Sequence, residues 1–458
     1  MRAALRLGLM AVLAFTCVSG WAEEAAWKAG TARARITPEE PLWLAGYAAR
    51  TRPAEGTMHD LWVKVLALEA ADGTRGVIVT ADLLNFTREN AAVISAELER
   101  ACGLSRAQVM LTASHTHSGP VLDSALADIY PLDDEQLERI AAYTRRLEET
   151  VIATVGEALA AMEPVSLFSG EGRSDFAVNR RANPEAEVPR RREEGSLVGP
   201  VDHRVPVLAV RGEDGAWRAV VFGYACHATT LDGYEWSGDY PGFAQLALEE
   251  KHPGVQAMFH AGCAADQNPI PRRDVELCRQ YGERLAAAVD RVLAEGLRPV
   301  GTELETAWST IRLEFGRQPS KESLEALSQR EDYIGRWARR LLAEIEAGEE
   351  LATGCPYPVQ VWRLGDEVLW IVLGGEVVVD YALRFAEEFG PGTWITAYAN
   401  DVMAYIPSRR VWEEGGYEAG AFSVYGLPAE AWEEDIESRV ADAVTRLVDQ
   451  VRAAEAPR

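Results

Sequence analysis

The stretch Val109-Met110-Leu111-Thr112-Ala113-Ser114-His115-Thr116-His117-Ser118-Gly119-Pro120 joins an apolar run to two histidines. The apolar half predicts a strand that ends before Ser118-Gly119-Pro120. Side chains two positions apart on an extended chain point to one face, so we expect His115 and His117 to leave the end of the sheet together. One histidine at a strand end usually only hydrogen-bonds a loop. Two on one face, in a chain with 7 histidines, favour a metal-binding or acid/base site.

Apolar runs typical of strands alternate with segments of helical period, which predicts an α/β fold: a layered, mixed β-sheet domain flanked by helices. Helical stripes are clearest in residues 324–345 and 432–451. Residues 170–200 are rich in Arg, Glu, Asn and Pro and predict a long loop, either a binding or lid element or a solvated excursion. The predicted strands are 63–68, 76–80, 108–113, 205–210, 219–225, 255–259, 368–373 and 394–398.

The beginning of the chain has the pattern of a secretory signal peptide. Arg2 and Arg6 precede an apolar run over residues 7–18, and Gly20-Trp21-Ala22 offers small residues at a cleavage point. The run is shorter than the ~20 residues of a membrane span, and no other stretch qualifies. We therefore predict a signal peptide at residues 1–22 and one continuous domain at residues 23–458. The protein is expected to be secreted or periplasmic, with no transmembrane span after signal removal.

Composition excludes several other classes of protein. The chain has 71 acidic and 46 basic residues, a formal net charge of −25 at pH 7. Such a surface repels phosphate backbones, so we expect no nucleic-acid partner. One of the 6 cysteines, Cys17, lies in the predicted signal peptide, and no Cys-x-x-Cys pair occurs. The number of remaining thiols is odd, so we expect at least one to be free or to pair outside the chain, and nothing indicates a zinc ribbon or redox motif. A dense disulfide framework is not expected in a chain of this length.

Polar side chains follow several of the predicted strands. His227 follows 219–225, Glu376 follows 368–373, and Tyr405 lies beyond 394–398. Ligands collect outside the carboxyl ends of strands in sheets of this kind, so we expect these side chains to converge with His115. Two histidines and a carboxylate with an open position suit a catalytic zinc ion. The residues alone also leave open that His227 only stabilises its own loop.

Several phrases, taken in order, resemble the catalytic domain of the neutral/alkaline ceramidase family, and the match extends over nearly all of the predicted mature chain. The phrases are Ala113-Ser114-His115-Thr116-His117-Ser118-Gly119-Pro120, Val178-Asn179-Arg180, Tyr224-Ala225-Cys226-His227-Ala228-Thr229-Thr230, Ser237-Gly238-Asp239, Gly375-Glu376, and Tyr405-Ile406 with Gly416-Tyr417-Glu418. The resemblance implies a zinc-dependent hydrolase of a linear amide, with an N-acyl sphingoid or related small-molecule or lipid N-acyl substrate.

The resemblance also implies roles for individual residues. The ligands that it implies for Zn²⁺ are His115, His227, Glu376 and Tyr405. The groups that it implies around the scissile carbonyl are His117, Arg180 and Tyr417. Either tyrosine taken alone would more often be a packing residue whose hydroxyl finds a partner.

Two departures from the family put its usual substrate in question. Members that cleave ceramide carry a Gly-Asp-Val-Ser-Pro-Asn type of phrase, whereas this chain has Gly262-Cys263-Ala264-Ala265-Asp266-Gln267-Asn268 and no serine there. Two alignments of this loop are open, one with Asp266 in the place of that serine and one with Cys263 near it, and we assign neither residue the role of nucleophile. We also expect only the catalytic domain, without the immunoglobulin-like second domain of many ceramidases. The alternatives are a zinc hydrolase of a different N-acyl compound or an ester, and a secreted binding protein that has lost turnover.

Overall fold

The computed structural model describes residues 27–126 and 128–453, and the statements below refer to these residues. The predicted signal peptide lies outside them and stays a prediction, which N-terminal sequencing of the mature protein tests. Among the described residues, no helix combines the length and the apolar character needed to cross a bilayer.

The elements of the described residues follow one another in an α/β order. The strands are β1 (Trp27–Arg35), β2 (Gly56–Thr57), β3 (Trp62–Glu69), β4 (Arg75–Ala81), β5 (Val109–Ala113), β6 (Glu163–Arg173), β7 (Ala177–Asn179), β8 (Arg204–Gly212), β9 (Trp217–Tyr224), β10 (Glu235–Trp236), β11 (Gln256–Ala261), β12 (Gln267–Pro269), β13 (Arg298–Pro299), β14 (Leu304–Arg317), β15 (Gly354–Leu364), β16 (Val368–Leu373), β17 (Glu376–Val377), β18 (Thr393–Thr396), β19 (Tyr405–Ile406) and β20 (Ala431–Trp432). The helices are α1 (Arg88–Cys102), α2 (Asp134–Ala160), α3 (Val188–Glu193), α4 (Asp239–Lys251), α5 (Val275–Glu295), α6 (Lys321–Leu327), α7 (Tyr333–Glu346), α8 (Val379–Phe389), α9 (Arg409–Glu414), α10 (Tyr417–Gly420) and α11 (Ile436–Ala453).

The larger sheet runs in the order β11-β9-β8-β6-β1-β3-β4-β5, with β13 beside β6. Its outer pairs, β11 with β9 and β4 with β5, are parallel, while the pairs between them are antiparallel. All five residues of β5 are buried, as expected for an apolar run paired in parallel. The sheet is therefore mixed, as the sequence predicts.

A smaller sheet, in the order β18-β16-β15-β14-β20, packs against the larger one. Ile78 and Val221 of the larger sheet share an apolar cluster with Trp362 and Trp370 of the smaller sheet. Helix α2 packs on β1 and β3, and α5 packs on β6 and β8. The layered α/β class predicted from the sequence is confirmed.

Residues 397–400, which we call the seam, connect the two edge strands of the larger sheet. The amide of Ala397 donates to the carbonyl of Ala261 in β11 at 3.0 Å. The amide of Asn400 donates to the carbonyl of Leu111 in β5 at 2.8 Å. The carboxyl ends of two strands that lie far apart along the sheet order are therefore held next to each other.

Three details of the predicted secondary structure are wrong. Trp432 pairs with Phe315 in β14, so helix α11 begins only at Ile436. The stripe over 324–345 is two helices, because Asp332 caps α7 by accepting from the amide of Gly335 at 3.2 Å. Residues 170–200 are not one irregular loop, since they hold the end of β6, strand β7 paired with β12, and helix α3.

We propose that residues 23–458 form one domain, because apolar clusters join distant parts of the chain. One cluster contains residues from Phe176 to Val451, and another contains residues from Trp27 to Ala399. Cutting the chain into an N-terminal and a C-terminal half and separating them would expose the apolar side chains of both clusters to water. Limited proteolysis is therefore expected to yield no half that folds alone, and recovery of two stable, separately folding fragments would contradict the proposal.

Candidate active site

Two buried histidines are held in one orientation by backbone carbonyls. Nδ1 of His115 lies 2.8 Å from the oxygen of Leu84, and Nδ1 of His227 lies 2.6 Å from the oxygen of Ala264. A carbonyl oxygen only accepts hydrogen bonds, so each ring donates its Nδ1–H there. Each Nε2 is thereby directed into the site, the arrangement typical of histidines that bind metals.

Glu376 faces both rings. Its Oε2 lies 3.3 Å from Nε2 of His115 and 3.0 Å from Nε2 of His227. The hydroxyl of Tyr425 donates to the other oxygen, Oε1. Glu376 is the first residue of β17 and is paired with Tyr405 in β19, which brings the predicted fourth ligand to the same place.

The charge state of this cluster calls for a cation. Burial, together with the nearby charge of Arg180, lowers the pKa of His227 to about 4, so its ring is neutral at neutral pH. Burial opposes ionisation of Glu376, and the pKa of this carboxyl falls well below its usual range when positive charge faces it from the positions of His115 and His227. Nε2 of His227 and Oε2 of Glu376 are buried without a hydrogen-bond partner among the described residues. Facing lone pairs repel each other, so this donor set fits a bound cation.

His117 belongs to the same cluster. Its Nε2 lies 3.4 Å from Nε2 of His115, and the ligand atoms of His115, His117 and His227 lie within 4.8 Å of one another. Its ring packs on that of Tyr47 at 4.6 Å between centroids, and its Nδ1 is buried without a partner. The geometry thus allows His117 to act either as a third imidazole ligand of a metal or as a group beside a bound metal.

The extended path predicted for this stretch is wrong, although the predicted convergence is found. His115 has a φ of 57°, in the left-handed region, so the chain turns immediately after β5. The ring of His115 rests on that of Tyr398 at 4.2 Å between centroids. His115 and His117 therefore come together because the backbone turns at His115, and not because alternate side chains of a strand point to the same face.

Arg180 follows strand β7 and connects Tyr405 to the wall of the site. Its Nη2 donates to the hydroxyl of Tyr405 at 3.3 Å, and its Nε donates to Oε1 of Glu418 at 2.8 Å. Its Nη1 donates to Oδ1 of Asn268 at 3.3 Å. The guanidinium is therefore fixed on three sides by neutral and charged acceptors.

The site opens into a cavity of about 960 Å³. The predicted site residues that line it are His117, Arg180, His227, Tyr405 and Tyr417. His115 and Glu376 lie behind this wall, 1% and 3% exposed. The rings of Tyr405 and Tyr417 lie 5.2 Å apart, but Tyr405 is buried and Tyr417 is 52% exposed. All seven predicted side chains are brought to one place.

The loop that lacks the family serine faces the cavity through Asn268. Asp266 instead accepts from Nδ2 of Asn179 at 3.0 Å and from the amide of Val379 at 2.9 Å, which fixes the start of α8. Burial raises the pKa of the Cys263 thiol well above its usual range. A buried thiol of this kind is unreactive, so neither Asp266 nor Cys263 is placed as a nucleophile.

Sequence reasoning missed three groups that shape the site. Tyr425 holds Glu376, Glu418 holds Arg180, and Tyr398 supports the ring of His115. Of these three residues, only Glu418 could have been found from the sequence, because it directly follows Tyr417 in one of the phrases that resemble the family. Tyr425 ends a short turn, Phe422–Tyr425, where nothing in the neighbouring sequence marks it.

The sequence profile described as "Neutral/alkaline non-lysosomal ceramidase, N-terminal" matches residues 27–269. The chain belongs to this ceramidase family. The family assignment made from the sequence phrases is thereby confirmed. Within it, the neutral ceramidase of Pseudomonas aeruginosa is 24% identical over 273 residues, which are 57% of this chain. The matched part is only 40% of the length of that ceramidase.

Solved ceramidase structures share the fold. The crystal structure of neutral ceramidase from Pseudomonas aeruginosa superposes with a TM-score of 0.71 at 18% identity, over 95% of this chain and 76% of that chain. A structure of ceramidase complexed with C2 gives a TM-score of 0.71 at 18% identity, over 94% of this chain and 76% of that chain. The chain therefore has the fold of these two ceramidase structures.

Gly46 lies against the ring of His117, and only the absence of a side chain at Gly46 leaves space for that ring. Adding a methyl group at this position is therefore a test of how His117 is placed. A Cβ at Gly46 would lie 2.3 Å from Nδ1 of His117, and the φ of Gly46 is +100°. We expect Gly46→Ala to displace the His117 ring, lengthening the 3.4 Å separation from Nε2 of His115. A crystal structure of the variant measures that separation directly.

Gly73→Ala is the matched control for this change. Gly73 has a φ of +88°, and a Cβ there would meet nothing within 4 Å. In Gly73→Ala the only cost is the left-handed backbone conformation of an alanine, which lowers the free energy of unfolding by about 1–3 kcal/mol. This variant should leave His117 in place. An unmoved His117 ring in Gly46→Ala would contradict the argument.

Proposed function

We propose that the protein is an exported, zinc-dependent hydrolase that cleaves the linear amide of an N-acyl compound. The observation that carries the proposal is the convergence of two Nδ1-anchored imidazoles on the unpartnered Oε2 of Glu376. Family membership supports an amide of the ceramide type as the bond that is cut. Export rests on the signal-peptide pattern of residues 1–22.

The residues proposed to hold Zn²⁺ are His115, His227, Glu376 and Tyr405. Neutral imidazole and carboxylate are ligands that zinc accepts readily. When bound, zinc supplies Lewis acidity that polarises a carbonyl and makes water a usable nucleophile near neutral pH. Tyr425 keeps one carboxylate oxygen of Glu376 occupied, so that only Oε2 faces the histidines.

The residues on the cavity side are proposed to act on the carbonyl and the leaving amine. Arg180 and Tyr417 offer donors to the oxygen as it gains negative charge, and His117 carries a proton toward the nitrogen. In the overall reaction the C–N bond breaks, the acyl carbon gains the hydroxyl of water, and the nitrogen gains its proton. The products are a carboxylic acid and an amine.

We expect His227→Ala to lose zinc and activity together, because the substitution removes a bond to the ion itself. Tyr425→Phe retains every proposed ligand but frees Oε1 of Glu376, so zinc affinity should fall by about 10–100-fold. Zinc content by elemental analysis and affinity by chelator competition measure the two effects.

His252→Ala is the matched control for the metal experiment. His252 pairs with Asp290 at 2.6 Å on α5 and lies outside the histidine cluster. Its zinc content should equal that of the wild type. Full zinc occupancy in His227→Ala would mean that this residue is not a ligand, and unchanged affinity in Tyr425→Phe would remove the role given to Tyr425.

Tyr417→Phe should lower kcat by about 100-fold, as expected for loss of a donor to the developing oxyanion. The ring is 52% exposed, so removing its hydroxyl leaves the core intact. Zinc content should stay at the wild-type level, whereas Tyr405→Phe should reduce it. Steady-state kinetics on a cleaved amide, with chemistry limiting the rate, measure the change.

Two outcomes would count against the amidase. Wild-type kcat in Tyr417→Phe would contradict the role proposed for that hydroxyl. Failure of the zinc-loaded wild type to turn over any N-acyl compound would favour the second candidate, a secreted binding protein. The absence of the family serine from residues 262–268 is the observation that favours this candidate.

A further inference from the structure

Tyr425, which donates to Glu376, lies in a segment with little regular structure of its own. The turn Phe422–Tyr425 is 4 residues long and ends at Gly426, which has a φ of 70°. So short a turn makes too few internal hydrogen bonds to keep a fixed position by itself. The hydroxyl of Tyr425 therefore reaches Glu376 because contacts from elsewhere in the fold hold the turn in place.

Two parts of the fold hold this turn. On one side, the ring of Phe422 packs on those of Phe315 and Trp432, at 5.9 and 5.1 Å between centroids. On the other side lies the hairpin of helices α6 and α7, residues 318–353, which connects β14 to β15. The hairpin has a small apolar cluster of its own, whose buried members are Leu324, Trp337, Ala338 and Leu341. Helix α7 of the hairpin contacts the turn through hydrogen bonds.

Arg340 of α7 joins the end of the turn to a second segment of the chain. Its Nη2 donates to the carbonyl of Gly426 at 2.7 Å and to Oδ2 of Asp128 at 2.7 Å. Its Nε lies 3.2 and 3.0 Å from the two carboxylate oxygens of Asp128, which is 7% exposed. A Cβ at Gly426 would lie 3.1 Å from Nη2 of Arg340. The turn therefore ends directly against this ion pair.

Neighbouring residues of α7 make further contacts at the same junction. Nε1 of Trp337 donates to the carbonyl of Leu427 at 3.0 Å. Arg336 donates to the carbonyls of residues 128 and 129, at 2.9 and 2.6 Å. These two residues follow the histidine stretch that ends the β5 region of the sequence. Helix α7 thus ties the chain downstream of His117 to the turn that carries Tyr425.

We propose that Arg340 is a positioning residue of the active site, which acts through Tyr425 to hold the carboxylate of Glu376 in the orientation that binds zinc. The inference rests on the zinc site proposed above. Arg340 lies outside the residues that line the cavity, so its effect on the metal passes through the turn. Without the Arg340 contacts the turn shifts, and the hydroxyl of Tyr425 no longer keeps Oε1 of Glu376 occupied.

Zinc affinity in a double-mutant cycle, measured by chelator competition, tests the proposal. Arg340→Met should lower zinc affinity about tenfold, the lower end of the range for groups that orient a metal ligand. In the Tyr425→Phe background the same substitution should change zinc affinity by less than about twofold, because the hydroxyl through which it acts is gone. A residue that only stabilised the fold would lower the melting temperature without this dependence on Tyr425.

Arg339→Met is the matched control. Arg339 precedes Arg340 in α7 but donates to the carbonyls of Ser328 and Arg330 within the hairpin, at 2.6 and 3.0 Å. Its zinc affinity should equal that of the wild type. Thermal unfolding of each variant establishes that it is folded before zinc is measured.

Trp337→Phe is a second variant, which serves if Asp128, left buried without its partner, unfolds Arg340→Met. It loses the donor to Leu427 and keeps a ring in the cluster of the hairpin, so zinc affinity should fall about threefold, again only where Tyr425 is present. Equal losses with and without the Tyr425 hydroxyl, or no loss in the folded variants, would overturn this inference and leave the zinc site standing. A wild-type protein that binds no zinc would overturn both.

Discussion

The whole site depends on backbone hydrogen bonds between the seam, residues 397–400, and the two edge strands of the larger sheet. These bonds hold the end of β5, which leads to His115, beside the end of β11, which leads to Ala264. The oxygen of Ala264 in turn orients His227. Two histidines far apart in sequence are thus positioned by main-chain contacts.

The chain that leaves the seam also positions the remaining proposed ligands. The amide of Gly375 donates to the carbonyl of Asp401 at 2.8 Å, and that of Glu376 donates to the carbonyl of Ala404 at 2.8 Å. The chain that leaves the seam therefore runs alongside Glu376 and delivers Tyr405 opposite it. Asn400, with a φ of 64°, makes the necessary turn, and asparagine tolerates this conformation better than most residues.

The sequence predicted the parts of the structure that depend on local pattern or on a family phrase. The strands over 63–68 and 368–373 are found almost as expected, because uninterrupted apolar runs have few alternatives in a buried sheet. Trp432 was misplaced because its pairing with Phe315 is a long-range contact that helical periodicity does not report. Tyr425 was missed for the same reason. Its role in the site is the hydrogen bond to Glu376, a residue 49 positions earlier in the chain, and no local pattern reports that contact.

Glu418 has a further consequence, because it is shared. One carboxylate oxygen binds Arg180, which reaches Tyr405, and the other binds Arg181, which belongs to the mouth of the cavity. A ligand that draws Arg181 away would leave Glu418 free to hold Arg180 more tightly. Arg180 and Arg181 therefore belong to one ion-pair network, so we expect the free-energy effects of substitutions at these two arginines not to add.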